Sequence, residues 1–169
     1  LTGCYGGFAE VVLARDQAMG NLVGFLIVLR GNDPEDCGIS YTVVCATHRR
    51  QGILREMLQR VQGQYSHIGL SCNVDKVPYY EALGFHITGS DCAQVAMCCG
   101  TDKPDAMMGA LDFSLNSKIA DAVASFQRVH GAKAKGILSR MGEIQERRFE
   151  YVGEYVNKRL SGLSHADAL

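Results

Sequence analysis

The spacing of apolar positions predicts three consecutive strands at the start of the chain. Apolar and β-branched residues run from Phe8 to Ala14 and from Asn21 to Leu29, and the polar stretch between them ends in a glycine, as in an antiparallel hairpin. A dense turn signal from Gly31 to Asp36 precedes a third strand-like run from Ile39 to Ala46.

The period changes at Gly52 and predicts alternating helices and strands from there to Gly100. Apolar residues recur at helical spacing after Gly52 and at alternate positions between Ser66 and Asn73. Pro78 is well placed in the first turn of a short helix that ends at Gly84. The last two strands are predicted from Phe85 to Thr88 and from Ala93 to Cys99, joined at Gly89, Ser90 and Asp91. The predicted order is β-β-β-α-β-α-β-β, an α/β domain over residues 1–100.

Helical signals dominate the rest of the chain. We expect a linker over residues 101–115 and a helical C-terminal extension over residues 116–169, with Asn116 or Ser117 as the N-cap. Two apolar stripes follow the helical period: Ile119, Val123, Phe126 and Val129, then Ile137, Met141, Ile144, Arg148, Tyr151, Tyr155 and Leu160. Such stripes either pack within the chain or form a homodimer through these helices.

Composition excludes several classes of protein. Hydrophobic residues make up 47% of the chain and the net charge is −1, which predicts a folded protein without a field that would attract nucleic acid or a lipid surface. No apolar run is long enough to span a membrane. The seven cysteines lack paired CxxC spacing, which favours reduced core thiols over disulfides or a zinc site, and predicts a reducing, cytoplasmic compartment. Because the chain begins at Leu1, an upstream targeting signal stays open.

The segment from Thr47 to Leu54 is a candidate anion site. It joins the third predicted strand to the first helix, where unpaired backbone N–H groups meet the positive end of the helix dipole. Arg49 and Arg50 add positive charge, and Gly52 allows close approach of a diphosphate. The alternative is that both arginines are solvated turn residues and the glycine merely begins the helix.

A second motif follows at the spacing expected of a known family. Arg49 to Leu54 and Tyr79 to Phe85 together resemble the GNAT superfamily of N-acetyltransferases, whose loop reads Gln/Arg-x-x-Gly-x-Gly/Ala and whose later helix ends in a phrase such as Phe-Tyr-Glu-x-x-Gly-Phe. The element order from Phe8 to Cys99 also matches. The resemblance implies a GNAT-like mixed twisted sheet, and the family's usual opening strand and two helices have no counterpart before the hairpin.

The resemblance implies that acetyl-coenzyme A binds as co-substrate and that no metal is needed. The backbone of Val44 and Ala46 on the third strand would hold the pantetheine arm. The loop residues Arg49, Arg50, Gln51, Gly52, Ile53 and Leu54 would bind the diphosphate, although Leu54 departs from the family's small residue. Asn73 resembles a polar residue that often faces the cofactor arm, with bonding to local backbone groups as an equal alternative.

Tyr80 matches the family's tyrosine that protonates the departing thiolate, which makes it the implied catalytic residue. A slip of one residue would give this role to Tyr79, and a structural role for Tyr80 also stays open. No acid lies between Ser40 and Ala46, where many relatives carry a base; Glu10, Asp75 and His48 are candidates by type, and water is another.

The resemblance implies an N-acetyltransferase that transfers the acetyl group of acetyl-coenzyme A to a primary amine by direct attack. The acceptor is a small molecule, a peptide or a protein. The alternative is a catalytically inactive GNAT-like binding or regulatory module, which the leucine at position 54 and the missing acid would favour.

Overall fold

The computed structural model describes residues 9–101 and 116–164. The chain divides into two compact units, Leu1–Gly109 and Ala110–Leu169. The predicted linker of residues 101–115 lies outside the described residues from residue 102 onwards. The family's opening elements would precede the hairpin, and the residues before Ala9 are likewise outside the described part.

The first unit contains one six-stranded mixed sheet, as the sequence predicts. The strands lie in the order β1-β2-β3-β4-β6-β5, and β3 pairs with β4 in parallel while every other pairing is antiparallel. Their bounds are β1 Ala9–Arg15, β2 Leu22–Arg30, β3 Asp36–Val44, β4 His67–Cys72, β5 His86–Asp91 and β6 Gln94–Gly100. The predicted order of strands and helices and the mixed sheet are confirmed.

Helix α1 (Ile53–Gln62) and the short helix α2 (Val77–Glu81) cover one face of this sheet. Gln62, the last residue of α1, connects this helix to the chain just after α2: its Nε2 donates a hydrogen bond to the carbonyl of Leu83 at 3.0 Å. The apolar residues between helices and sheet are the most deeply buried of the unit: Leu26, Val28, Met57, Leu58, Val61, Ile68, Val77, Val95 and Met97. Burial of these side chains holds α1 against β1, β2 and β3.

The opposite face of the sheet, called here the open face, carries exposed apolar side chains on β1 and β3. They are Val11, Leu13, Tyr41 and Val43, of which Tyr41 is 65% exposed. Strand residues alternate between faces, so these residues stand opposite the buried side chains that contact α1.

Several element boundaries differ from the sequence prediction. Helix α2 ends at Glu81 rather than at Gly84, because the N–H groups of Leu83 and Gly84 bond only three residues back and form a turn. Strand β3 starts at Asp36 because its carbonyl accepts the Gly31 N–H at 2.8 Å, which closes the turn earlier than expected. Ala46 is not on the third strand, since β3 ends at Val44 and Ala46 begins a 3₁₀ turn. The last hairpin turns after Asp91 rather than at Gly89, which lies beside a bulge within β5.

The second unit is a helical hairpin of α3 (Ser117–His130) and α4 (Lys133–Ser164). The predicted cap at Asn116 is confirmed, because its Oδ1 accepts the Lys118 N–H at 2.9 Å. Most of the predicted apolar stripes are exposed on these helices, including Ile119, Val123, Ile137, Met141, Ile144 and Tyr151. No helix within residues 9–101 and 116–164 has the length and hydropathy of a membrane span.

Gly100 provides a test of how β6 closes against the segment before β4. Its φ is +92°, and a Cβ there would lie 1.9 Å from the carbonyl oxygen of Ser66, which is backbone and cannot swing away. We predict that Gly100→Ala lowers the free energy of unfolding by at least about 2 kcal/mol. Gly89→Ala is the matched control, because its Cβ meets nothing within 4 Å. Urea denaturation of both variants measures the difference, and equal midpoints would contradict this packing.

Candidate active site

Strands β3 and β4 pair only over their first residues, and the space between their unpaired ends is called here the cleft. Their Cα partners run only from Asp36 and His67 to Ile39 and Leu70. The next residue, Ser40, is a bulge in the ladder between β2 and β3, so the last part of β3 follows β2 and not β4. The edges of β3 after Ile39 and of β4 after Leu70 are therefore not paired with each other.

The bulge also decides which backbone groups of β3 face this cleft. The Cys45 N–H donates to the Val23 carbonyl at 2.8 Å, so the polar groups of Val43 and Cys45 point towards β2. By alternation, those of Thr42 and Val44 point into the cleft. The Val44 carbonyl accepts from Arg49 Nε at 3.2 Å, which agrees with this direction. Val44 lies on β3, as expected from the sequence. The other β3 residue whose backbone groups point into the cleft is Thr42, because Ala46 lies beyond the end of the strand.

Thr42 was missed by the sequence analysis. Its Oγ1 is buried and has no hydrogen-bond partner within the described residues. A threonine within a β-branched run does not indicate a ligand site. The sequence does not show where the bulge at Ser40 falls, and so it does not show which backbone groups of the strand face the cleft.

The loop before α1 brings several backbone N–H groups together at the mouth of the cleft. Arg50 and Gly52 have φ of 65° and 82°, and the first bond inside the helix runs from the Glu56 N–H to the Gly52 carbonyl at 3.0 Å. The N–H groups of Ile53 and Leu54 thus have no helical partner. Such a series of N–H groups in a left-handed turn forms a concave anion-binding site at the positive end of the helix dipole.

The side chains of the loop leave space above Gly52. A Cβ built on this glycine meets no atom within 4 Å. Gln51 turns back, with its Nε2 donating to the Thr47 carbonyl at 3.3 Å, and Arg50 is exposed. The Leu54 side chain is half-buried, and its departure from the family motif leaves its backbone N–H at the first turn of the helix.

Asn73 follows β4 at the other side of the cleft. Its carbonyl accepts the Lys76 N–H at 2.9 Å, while its exposed side chain makes no capping hydrogen bond. The capping role weighed as an alternative for this side chain is therefore not seen. The amide stays available at the end of β4.

The two tyrosines of α2 differ in environment. Tyr80 is buried and makes edge contacts with Tyr79 and Phe85, with ring centroids 5.5 and 5.7 Å away. Burial raises the pKa of Tyr80 to about 12, with a smaller contribution from the nearby Cys72 at the end of β4. Tyr79 is 42% exposed; burial raises its pKa, and the Arg55 charge partly offsets this. Below about pH 12, Tyr80 keeps its proton beside the cleft.

The three candidate bases have different surroundings. Glu10 accepts from Arg30 Nε at 2.7 Å and from the Tyr65 hydroxyl at 3.0 Å, and these bonds, the Arg30 one first, lower its pKa. Tyr65 follows the C-terminal end of α1, so this cluster is far along the helix from the anion loop. Asp75 pairs with Lys76 at 2.7 Å, and His48 Nδ1 lies 2.9 Å from Thr47 Oγ1.

The described cysteines are free thiols, and Cys4 lies outside the described residues. Within the described ranges, no group of three or more histidine, cysteine or acidic side chains could hold a metal ion.

Comparison with known proteins gives one family. Residues 5–85 match the model of the acetyltransferase (GNAT) family, which confirms the resemblance drawn from the loop and the tyrosine motif. The matched segment runs from before β1 to the end of the tyrosine motif at Phe85. No curated protein matches the chain.

Solved N-acetyltransferase structures are similar at low identity. A nourseothricin acetyltransferase shares 19% identity at a TM-score of 0.48, over 54% of this chain and 64% of its own. A chimera of the Vibrio cholerae spermidine N-acetyltransferase shares 18% at 0.49, over 56% and 71%. An aminoglycoside 6′-N-acetyltransferase complexed with coenzyme A shares 19% at 0.48, over 59% and 77%. The chain thus spans less than two thirds of the first of these structures.

The open space above Gly52 generates a prediction. Gly52→Ala should weaken the binding of coenzyme A at least about ten-fold, because a Cβ at φ 82° shifts the N–H groups of the loop and enters the space of the ligand. Gly20→Ala is the matched control, since Gly20 also has positive φ and open space but lies in the β1–β2 turn. Both variants should lose similar stability. Calorimetric titration that gives equal affinities for the two would place the diphosphate elsewhere.

Proposed function

We propose that this chain, which carries the acetyltransferase (GNAT) family's domain over residues 5–85, transfers the acetyl group of acetyl-coenzyme A to a primary amine. The observation that carries the proposal is the cleft between β3 and β4, which ends at an anion loop of the family's sequence. The family supports acetyl transfer in general, and the amine acceptor is the finer part of the proposal.

The diphosphate of the cofactor binds to the N–H groups from Arg50 to Leu54, and Arg49 and Arg50 add charge to that end. The pantetheine arm lies along the unpaired edge of β3 and takes the place of a neighbouring strand, by bonding to the outward backbone groups of Thr42 and Val44. From Val44 to the bulge at Ser40 this edge spans about 13 Å. An arm laid along it brings the thioester near the apex of the cleft, beside Ile39 and Leu70.

The reaction is a direct attack. The neutral amine nitrogen forms a bond to the thioester carbonyl carbon, the carbon–sulfur bond breaks, and the electron pair leaves with the sulfur. Tyr80, at the helix-covered side of the cleft, gives its proton to the departing thiolate and regains one from solvent, and the proton of the amine passes to solvent. The free coenzyme A and an amide are the products.

A binding module without catalysis is the second candidate. It is favoured by Leu54 at the family's small position and by the absence of an acid from Ser40 to Val44. Such a module would bind coenzyme A and acetyl-coenzyme A alike and would release no free thiol over a panel of amines.

Tyr80 carries the catalytic prediction. Tyr80→Phe removes the hydroxyl but keeps the ring against Phe85, so the rate of acetyl transfer at saturating cofactor should fall about 10²- to 10⁴-fold while cofactor affinity is unchanged. Tyr79→Phe is the matched control and should stay near the wild-type rate. A large loss confined to Tyr79→Phe would contradict the assignment to Tyr80, and normal rates in both would return Tyr80 to a packing role.

We further propose a cytoplasmic location for the protein.

We also propose that the protein forms a homodimer through the second unit. Residues Ile137, Met141, Ile144, Arg148, Tyr151 and Tyr155 of α4 are spaced alternately four and three apart, as in a coiled-coil seam. Met141 and Tyr151 are 58% and 59% exposed. The occupant of this seam is a second copy in antiparallel orientation, because parallel pairing would set Arg148 against Arg148 of the other copy.

Antiparallel pairing of the seam brings Arg140 beside Glu154 of the second copy, twice by symmetry. Within one helix these residues are about 21 Å apart and cannot meet. We predict that Arg140→Glu and Glu154→Arg each weaken dimerisation about ten-fold in low salt and that the double variant restores it. Lys135→Glu is the control for net charge. Sedimentation equilibrium measures the dissociation constants; a monomeric wild type, or a double variant as weak as the single ones, would refute the interface.

A further inference from the structure

A carboxylate lies on the open face of the sheet near the apex of the cleft. Asp91, the last residue of β5, accepts a hydrogen bond through Oδ2 from the Ser71 hydroxyl at 2.8 Å. Ser71 immediately follows Leu70, the last residue of β4 that pairs with β3. The Ser71–Asp91 pair therefore stands at the point where the cleft begins.

The hydrogen bond between Asp91 and Ser71 crosses strand β6, which lies between β5 and β4. Ser71 is the cross-strand partner of Ala96 on β6, and Ala96 is the partner of Gly89 on β5. Because Ala96 and Gly89 have little or no side chain, no bulky group stands between Ser71 and Asp91. A Cβ added at Gly89 would meet no atom within 4 Å. Asp91 spans β6 and remains exposed.

The pair and Tyr80 lie on opposite faces of the sheet. Leu70 and Cys72 point to the face that the helices cover, and Tyr80 lies beside Cys72. Ser71 stands between them in sequence and so points to the open face. A thioester held at the apex would have a proton donor on one side and a carboxylate on the other.

We propose that the Ser71–Asp91 pair binds the ammonium group of the acceptor, so that the acceptor enters from the open face of the sheet. The inference rests on the proposed acetyl transfer. The ligand that this pair recognises is a primary alkylamine in its charged form. The carboxylate and the hydroxyl offer oxygen acceptors to the ammonium, and neither carries a positive charge that would repel it. Ser71 orients the carboxylate through Oδ2 and leaves Oδ1 for the ligand. The bound ammonium loses its proton to solvent before its nitrogen attacks the thioester.

The test separates acceptor binding from cofactor binding. The complex of the full chain with coenzyme A is titrated with 1,4-diaminobutane, and the backbone amide signals are followed by nuclear magnetic resonance. We expect shifts at Ser71, Asp91 and Ala96, with an apparent dissociation constant that rises about ten-fold in Asp91→Asn. Asp91→Glu keeps the charge and should retain binding. Asp121→Asn is the control, because Asp121 is likewise an exposed aspartate but lies on α3.

Each outcome decides one of the two claims. If coenzyme A itself does not bind, the proposed function fails. If it binds but the diamine shifts none of the three amides, or shifts them equally in Asp91→Asn, the acceptor site is not here. With any amine that the enzyme turns over, Asp91→Asn should raise the KM for the amine about ten-fold and leave kcat within a factor of about three. An equal fall in kcat would instead indicate a group needed in the transition state.

Discussion

The early end of pairing between β3 and β4 is the constraint on which the site depends. A parallel pair that continued to the end of both strands would satisfy the outward backbone groups of Thr42 and Val44 and leave no edge for a ligand. The bulge at Ser40 redirects β3 along β2, and the strand then leads directly into the anion loop at Gly52. One irregular residue thus links the cleft to the positive end of α1.

The same sheet divides the proposed chemistry between two faces. On the covered face, the ring of Tyr80 packs against Phe85, and its burial keeps the phenol protonated up to about pH 12. On the open face, the exposed carboxylate of Asp91 accepts a hydrogen bond from the Ser71 hydroxyl. A buried proton donor and a solvated ammonium site need opposite surroundings, and the two faces of the sheet provide one each.

Much of this arrangement follows from the sequence because it rests on local patterns. The element order, the helix beginning after Gly52 and the cap at Asn116 all come from periodicity and from residues with a single strong conformational preference. The misplacement of Ala46 has a different origin: β3 ends at Val44 and Ala46 begins a 3₁₀ turn, although the apolar run continues to Ala46 in the sequence. The pair of Ser71 and Asp91 joins strands twenty residues apart across β6, and such a long-range contact leaves no trace in local spacing.

Coenzyme A, as proposed, replaces a strand along β3 and caps the start of α1. Amide hydrogen exchange follows both contacts at once, because the N–H groups of Thr42, Val44, Ile53 and Leu54 have no partner in the described sheet ladder or in α1 until the ligand supplies one. We expect saturating coenzyme A to slow exchange at these four amides and to leave the amides of β1 unchanged. Equal exchange rates at the four positions with and without coenzyme A, under conditions where it is bound, would contradict it.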